Sequence, residues 1–275
     1  MAVTVGLVCD IGIGVDRGGR ARNEDAYLVC QSNRVRLCGE NGARTAPQQG
    51  EGALVAVCDG MGGHEDGHIA SATAARVMSR LYQPGAPKRP AQVLLHYILD
   101  AHRQLYAAAL QEGPVSMGTT LTAVWLINGT AAWAHVGDSR LYLFRSDRLI
   151  QLTPDQTRNE FARRDGQPTV PEGEQLAQNF IYGSRGLGDN TTLRLEQGLD
   201  SGAEVMHRGD LLLLCTDGLT CAVPDEQIRT ALATHRDPQE AADVLLKQAL
   251  RMGSRDNVTV AVIRIEEVSA GPAGP

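Results

Sequence analysis

The sequence predicts an α/β (α+β) sandwich: two central, mainly antiparallel β-sheets flanked by a helix pair on each outer face. Three observations carry this. Segments run in the order strands, helix pair, strands, helix pair, strand. The strand pairs are joined by tight turns, which only antiparallel neighbours can use. Each predicted helix has one apolar stripe, and that face must be buried against a sheet.

The elements follow in order. Residues 3–13 read as a first strand. "DAYLVCQ" (25–31) and "RVRLC" (34–38) form a hairpin through Ser32 and Asn33. Residues 39–52, rich in Gly, Gln and Pro, are a loop. "ALVAVCD" (53–59) is a continuous apolar run of strand length, hence a buried strand. From 68 to 82, Ala70, Ala74, Val77, Met78 and Leu81 recur at helical spacing. From 90 to 111, Leu94, Ile98, Ala101, Leu105 and Ala108 repeat that stripe.

"TTLTAVWLI" and "TAAWAHVGD" flank Asn128-Gly129, a pair suited to the positive φ angles of a type I′ hairpin turn. "RLYLFRSDRLIQL" makes a second hairpin. Residues 157–189 have weak periodicity and read as a short helix followed by a variable, flap-like surface insertion. "DLLLLCTD" (210–217) is another buried strand, and two helices follow it. The second opens on "DPQE", with Asp237 as N-cap, Pro238 at the first helical position and Glu240 at the third. "NVTVAVIRI" (257–265) is the last strand. No repeat or linker divides the chain, so residues 1–267 are one domain and 268–275 a disordered tail.

A chain of 275 residues can bury a substantial core, and 43% hydrophobic with 21% charged residues is ordinary for a soluble enzyme. The net charge of −6, with no basic block, argues against a nucleic-acid partner. No apolar run is long enough to span a bilayer, and the N-terminal stretch reads as a strand rather than a leader. The expectation is a cytoplasmic monomer with no membrane partner. The six cysteines, Cys9, Cys30, Cys38, Cys58, Cys215 and Cys221, form no C-x-x-C and read as reduced core thiols.

Acids gather at strand ends. Asp59 and Asp217 each end a buried strand, Asp138 closes "AHVGD", and Asp25 and Asp256 immediately precede strands. Any one of them alone is explained by the turn preference of Asp. Together, if these ends meet at one edge of the sandwich, the charges cannot all persist without a cation. Oxygen-only ligands select Mg²⁺ or Mn²⁺ over Zn²⁺. Gly60, after Asp59, frees the backbone so that its carbonyl can also coordinate.

Eight motifs run in order along residues 16–265: "RARNEDA", "CDGMGGH", "MGTTL", "VGDSRLYLF", "LTPDQT", "SRGLGD", "GDLLLLCTDGLT" and "SRDNVTVAVI". In these the chain resembles the bacterial metal-dependent protein serine/threonine phosphatases of type 2C. The resemblance implies the two-sheet sandwich and a centre of two Mn²⁺ or Mg²⁺ ions, with a third, weaker site in some relatives. It implies hydrolysis of phosphoserine and phosphothreonine monoesters by in-line attack of a water or hydroxide bridging the ions. By position, Asp59 bridges the metals and the Gly60 carbonyl completes one site. Asp217 and Asp256 hold the other ion, and Asp25 with Glu24 acts through coordinated water. Asp138 takes the third-site position. Arg20 grips the substrate phosphate, for which its planar fork is suited. The implied partners are phosphoprotein substrates, with a serine/threonine kinase and its targets among them.

Departures from the family pattern are one fewer residue between Gly18 and Arg20, Gln156 for a common His, Cys221 for a common Asp or Asn, His68 for a common Glu, and Met61 after the bridging pair. The first leaves Arg17 and Arg22 as further candidates for the phosphate. Two other readings compete with this one. "HEDGH" (64–68) satisfies the zinc-protease signature H-E-x-x-H, but Gly62, Gly63 and Gly67 oppose the helix that this site needs, and no third ligand is evident. His64 then reads as a loop-bracing residue. A non-catalytic binding module would be expected to lose metal acids, whereas Asp59, Asp217 and Asp256 are all present.

Overall fold

The computed structural model describes residues 6–31, 34–37, 52–61, 67–81, 89–112, 117–170, 181–183 and 199–269. Strands β1 (Gly6–Asp16), β2 (Ala26–Gln31), β3 (Arg34–Leu37), β4 (Ala53–Cys58) and β5 (Gly60–Met61) precede helices α1 (Gly67–Leu81) and α2 (Pro90–Glu112). Then come β6 (Met117–Thr119), β7 (Leu121–Ile127), β8 (Thr130–Val136), β9 (Arg140–Arg145), β10 (Arg148–Gln151), α3 (Arg158–Arg164), β11 (Ile181–Gly183) and β12 (Asp200–Val205). The chain continues with β13 (Leu211–Cys215), α4 (Asp217–Thr220), α5 (Asp225–Thr234), α6 (Pro238–Arg251) and β14 (Val258–Ser269).

Two antiparallel sheets stack face to face. One has six strands in the order β12-β8-β7-β4-β2-β3, and the other five in the order β1-β14-β13-β9-β10. Side-chain alternation builds the layers. In β4, Ala53, Val55 and Val57 face the second sheet, while Leu54, Ala56 and Cys58 face α1 and α2. In β13, Leu212 and Leu214 point between the sheets, while Leu211, Leu213 and Cys215 face α5 and α6. A strand buried on both faces has no polar side to show, which is why both read as unbroken apolar runs. The helical stripes are buried as expected, including Ala70, Ala74, Val77 and Met78 on α1 and Leu94, Ile98, Ala101 and Leu105 on α2. The predicted sandwich with outer helix pairs is the observed fold.

Local signals also hold. Asn128 and Gly129 have φ of 51° and 72°, as a type I′ turn requires. The second hairpin turns on Ser146 and Asp147, at 50° and 62°, although neither is glycine. Asp237 caps α6 by accepting from the Gln239 and Glu240 backbone N–H groups at 2.9 and 3.0 Å.

Four details differ. Residues 181–183, inside the segment expected to be a surface insertion, form β11, which adds to a small sheet ordered β11-β6-β5. Three residues are too few to show a period in the sequence. A short helix, α4, starts on Asp217 itself, so three helices follow β13 where two were expected. β14 continues to Ser269, held by pairing of Ser269 with Gly6 and Val268 with Leu7, into the stretch expected to be tail. Cys221 is exposed, unlike Cys9, Cys30, Cys58 and Cys215, which are buried thiols. Cys38, His64, the Ser32-Asn33 turn and the 39–51 loop lie outside the described residues.

Strand register gathers the acids. Ala26 pairs with Cys58, so Asp25 and Asp59 leave the six-stranded sheet at the same edge. Leu121 pairs with Val136, which brings Thr120 beside Gly137 and Asp138. Cys215 pairs with Val260 in the other sheet, so Asp217 and Asp256 emerge together. The layer between the sheets sets the distance between these two groups. Leu214, fully buried in that layer, tests its contribution: Leu214→Ala is expected to cost about 3 kcal/mol in urea unfolding, the scale for a large-to-small core change. A loss below about 1 kcal/mol would contradict tight packing there.

Candidate metal centre

Asp59 is held through its backbone. Its N–H donates to Thr120 Oγ1 at 2.9 Å, and the Thr120 N–H donates back to the Asp59 carbonyl at 2.9 Å. The Thr120 hydroxyl also lies 2.7 Å from Ser139 Oγ, tying Asp59 to the turn that carries Asp138. Gln156 fixes that turn from the other side: its Oε1 accepts from Gly137 N–H at 3.0 Å, and its N–H donates to the Gly137 carbonyl at 2.9 Å. Asn257 staples the loop after β1, donating to the Arg17 and Arg22 carbonyls at 2.9 Å and accepting from Glu24 N–H at 2.7 Å.

The glycines after two of the acids are there because backbones meet. A Cβ on Gly60 would lie 2.3 Å from the Gly67 carbonyl oxygen and 2.4 Å from that of Glu24. A Cβ on Gly218 would lie 1.9 Å from the Asn257 carbonyl oxygen. No side chain fits either place, so the chain can bring Asp59 and Asp217 close to their neighbours only with glycine next in sequence.

The electrostatics are those of crowded anions. Burial pushes the Asp59 carboxyl well above the ordinary range, and the charges of Asp25, Asp217, Asp138 and Asp256 push it further. Asp25 is raised by burial, against the hydrogen bonds it accepts from Thr259 and Thr216, with Asp217 and Asp256 adding to the rise. Asp138 is raised to about 7, by burial and then by Asp217 and Asp155. Asp217 is raised by burial and Asp256, partly offset by a hydrogen bond with Asp59. Five carboxylates from both sheets thus share one field.

These residues fit hard cations. Asp25 Oδ1 and Asp217 Oδ1 are buried and have no hydrogen-bond partner, a costly arrangement unless another ligand meets them. The donors are all oxygen, the set that Mg²⁺ and Mn²⁺ prefer. Among the described residues, no three acidic, His or Cys side chains already converge as the complete cage of one ion. Asp256 accounts for part of this, since its Oδ2 accepts from Arg20 Nη2 at 2.7 Å. Mg²⁺-type sites also keep several waters, so they need few protein ligands.

The other sequence candidates divide. Arg20 lies at the site's rim, exposed, within the field of Asp256, Asp217 and Asp59. Asp25 joins the acids, and Glu24 lies beside Gly60 at the start of α1: a Cβ on Gly67 would be 2.9 Å from both Glu24 Oε2 and the Gly60 carbonyl carbon. An acid there complements the helix dipole. Arg22 Nη1 is 3.3 Å from His68 Nδ1, and Arg17 Nη1 is 3.5 Å from the Ala21 carbonyl, so both side chains engage local groups. Cys221 Sγ is 4.0 Å from Asp217 Oδ2. Sequence reasoning did not single out Thr120, Ser139, Thr216, Thr259 or Asn257. Their only signal was position, each within three residues of an acid or of its paired strand.

Comparison with known proteins gives the family. The family model for protein phosphatase 2C matches residues 17–258. The chain is 31% identical to protein phosphatase PhpP of Streptococcus pneumoniae over 264 residues, covering 95% of this chain and 99% of that one. It is 33% identical to serine/threonine protein phosphatase PstP of Mycobacterium tuberculosis, covering 98% of this chain and 48% of that longer protein. A crystal structure of the M. tuberculosis phosphatase superimposes with a TM-score of 0.75 at 29% identity, covering 95% of this chain and 100% of that one. A structure of the PstP catalytic domain in complex with two manganese ions gives 0.73 at 30% identity, with the same coverage. The chain belongs to the protein phosphatase 2C family.

Proposed function

We propose that this chain is a metal-dependent protein serine/threonine phosphatase, hydrolysing phosphoserine and phosphothreonine monoesters with two Mn²⁺ or Mg²⁺ ions. The observation that carries the reading is the cluster of Asp25, Asp59, Asp138, Asp217 and Asp256, the first four raised in pKa by burial and by neighbouring carboxylates, with two buried carboxylate oxygens left without partners. Retention of all five acids favours a working enzyme over a binding module that has lost its chemistry.

Asp59 and the Gly60 carbonyl would hold one ion, with Asp59 shared to a second held by Asp217 and Asp256. Asp138 would serve a third, weaker site. A metal pair of this kind lowers the pKa of bound water and stabilises charge on a phosphoryl group under in-line attack. The chain's own residues do the rest. Arg20 releases Asp256 and turns its fork to two phosphate oxygens, a charge-assisted bidentate contact. Asp25, with one free oxygen, orients and accepts a proton from water at the centre. The partners would be phosphoproteins, including a serine/threonine kinase and its targets, met by a monomer in the cytoplasm. No described helix is long and apolar enough to cross a membrane.

Hydrolysis of a phosphothreonine peptide is expected to require Mn²⁺ and to stop with EDTA. Asp59→Asn is expected to leave less than about a tenth of turnover, since the shared ligand loses its charge; more than that would contradict the assignment. Arg20→Ala is expected to raise KM by roughly tenfold or more, the scale of a lost hydrogen bond to a charged group. An unchanged KM would move the phosphate contact to Arg17 or Arg22.

The acids also predict a pH dependence of stability. Asp138 titrates near 7 in the fold, above the ordinary carboxylate value, so the folded state binds more protons than the unfolded state between about pH 4 and 7. Stability in EDTA should therefore fall as pH rises through that window. Mn²⁺ should raise Tm more at pH 8 than at pH 5. A Tm in EDTA that rises from pH 5 to 8 would contradict the crowding of these groups.

A further inference from the structure

We propose that Thr216 and Thr259 are positioning residues that tie one oxygen of Asp25 and so present the other to the metal pair. The inference rests on the two-metal reading above. Both threonines are fully buried, and Asp25 is 8% exposed. Thr216 Oγ1 donates to Asp25 Oδ2 at 2.8 Å, and Thr259 Oγ1 donates to the same oxygen at 2.7 Å. Each hydroxyl has one proton, and each spends it here.

The Thr216 rotor is set by its neighbours. Its oxygen accepts from Thr259 N–H at 3.0 Å, and its own N–H donates to the Thr259 carbonyl at 3.1 Å. Thr216 also stands at the N-cap position of α4, where a threonine hydroxyl ordinarily accepts from the helix backbone, yet it makes no cap bond. The side chain is diverted from the helix to Asp25.

A lone carboxylate rotates broadly about χ2, because that torsion has shallow, two-fold preferences. Two donors converging on Oδ2, one from just past the end of β13 and one from β14, remove this freedom. They saturate Oδ2 and leave Oδ1, which is buried and has no protein partner. The threonines come from the five-stranded sheet and Asp25 from the edge of the six-stranded sheet. Thr216 immediately precedes Asp217, and Thr259 lies just beyond Asp256. The same clamp therefore sets Asp25 relative to the acids of the opposite sheet.

The test is Mn²⁺ titration calorimetry on the full chain, with thermal unfolding in EDTA as the readout of fold. Thr216→Val with Thr259→Val keeps the branched shape and removes both protons. It is expected to raise the Mn²⁺ Kd by roughly tenfold or more, the usual scale for loss of a group that orients a metal ligand. The corresponding Ser pair, which restores the hydroxyls, is expected to stay within about threefold of the unaltered chain. In an Asp25→Ala background the Val pair should add less than about threefold, because the threonines act through Asp25. Asp25→Asn accepts both hydroxyls on its carbonyl and turns an amide to the metals, so it should keep Tm in EDTA while losing roughly tenfold in affinity. It carries the test if the Val pair does not fold. Normal Mn²⁺ binding by the Val pair, an equal loss in the Asp25→Ala background, or normal binding by Asp25→Asn would overturn the inference alone. No Mn²⁺ binding by the unaltered chain would sink the two-metal reading, and this inference with it.

Discussion

The constraint on which the structure depends is mutual repulsion among carboxylates that the fold forces together. Asp25, Asp59 and Asp138 leave one sheet at an edge where Asp217 and Asp256 leave the other. In bulk water such charges would move apart. Here they are fixed by antiparallel register, by the apolar layer between the sheets, and by glycines that allow backbones to touch. Burial raises the cost of charging them. The fold therefore stores an unfavourable electrostatic state that bound cations relieve, and relief of that kind is what makes such a site bind metal.

The supports around the acids are hydroxyls and amides rather than charges. Thr120 and Ser139 hold Asp59, Thr216 and Thr259 hold Asp25, Gln156 holds the turn of Asp138, and Asn257 holds the loop that delivers Arg20 and Asp25. A neutral donor can fix an anion without cancelling it. A lysine or arginine in any of these places would pair with the carboxylate and compete with the metal. Arg20 is the exception, and it is at the exposed rim, free to exchange Asp256 for a phosphate.

Much of this was legible in the sequence because it depends on local pattern. Unbroken apolar runs marked β4 and β13, period-3.6 stripes marked α1 and α2, and Asn128-Gly129 and Asp237-Pro238 marked a turn and a cap. The acids were legible as a set because strand ends recur in one type of residue. What could not be read depends on pairing across the fold. β11 exists only because β6 offers it a partner, and three residues of their own carry no signal. Thr216 and Thr259 are unremarkable β-formers until the two sheets bring them to one oxygen of Asp25.

The central claim is that the two sheets together build a site for two hard cations bridged by Asp59. Anomalous diffraction at the manganese edge, from crystals of the full chain grown with Mn²⁺, tests it most directly. Two peaks are expected about 3.5–4 Å apart, with the Asp59 carboxylate between them, the Gly60 carbonyl on one side and Asp217 with Asp256 on the other. A single ion, or ions bound away from Asp59, would contradict it.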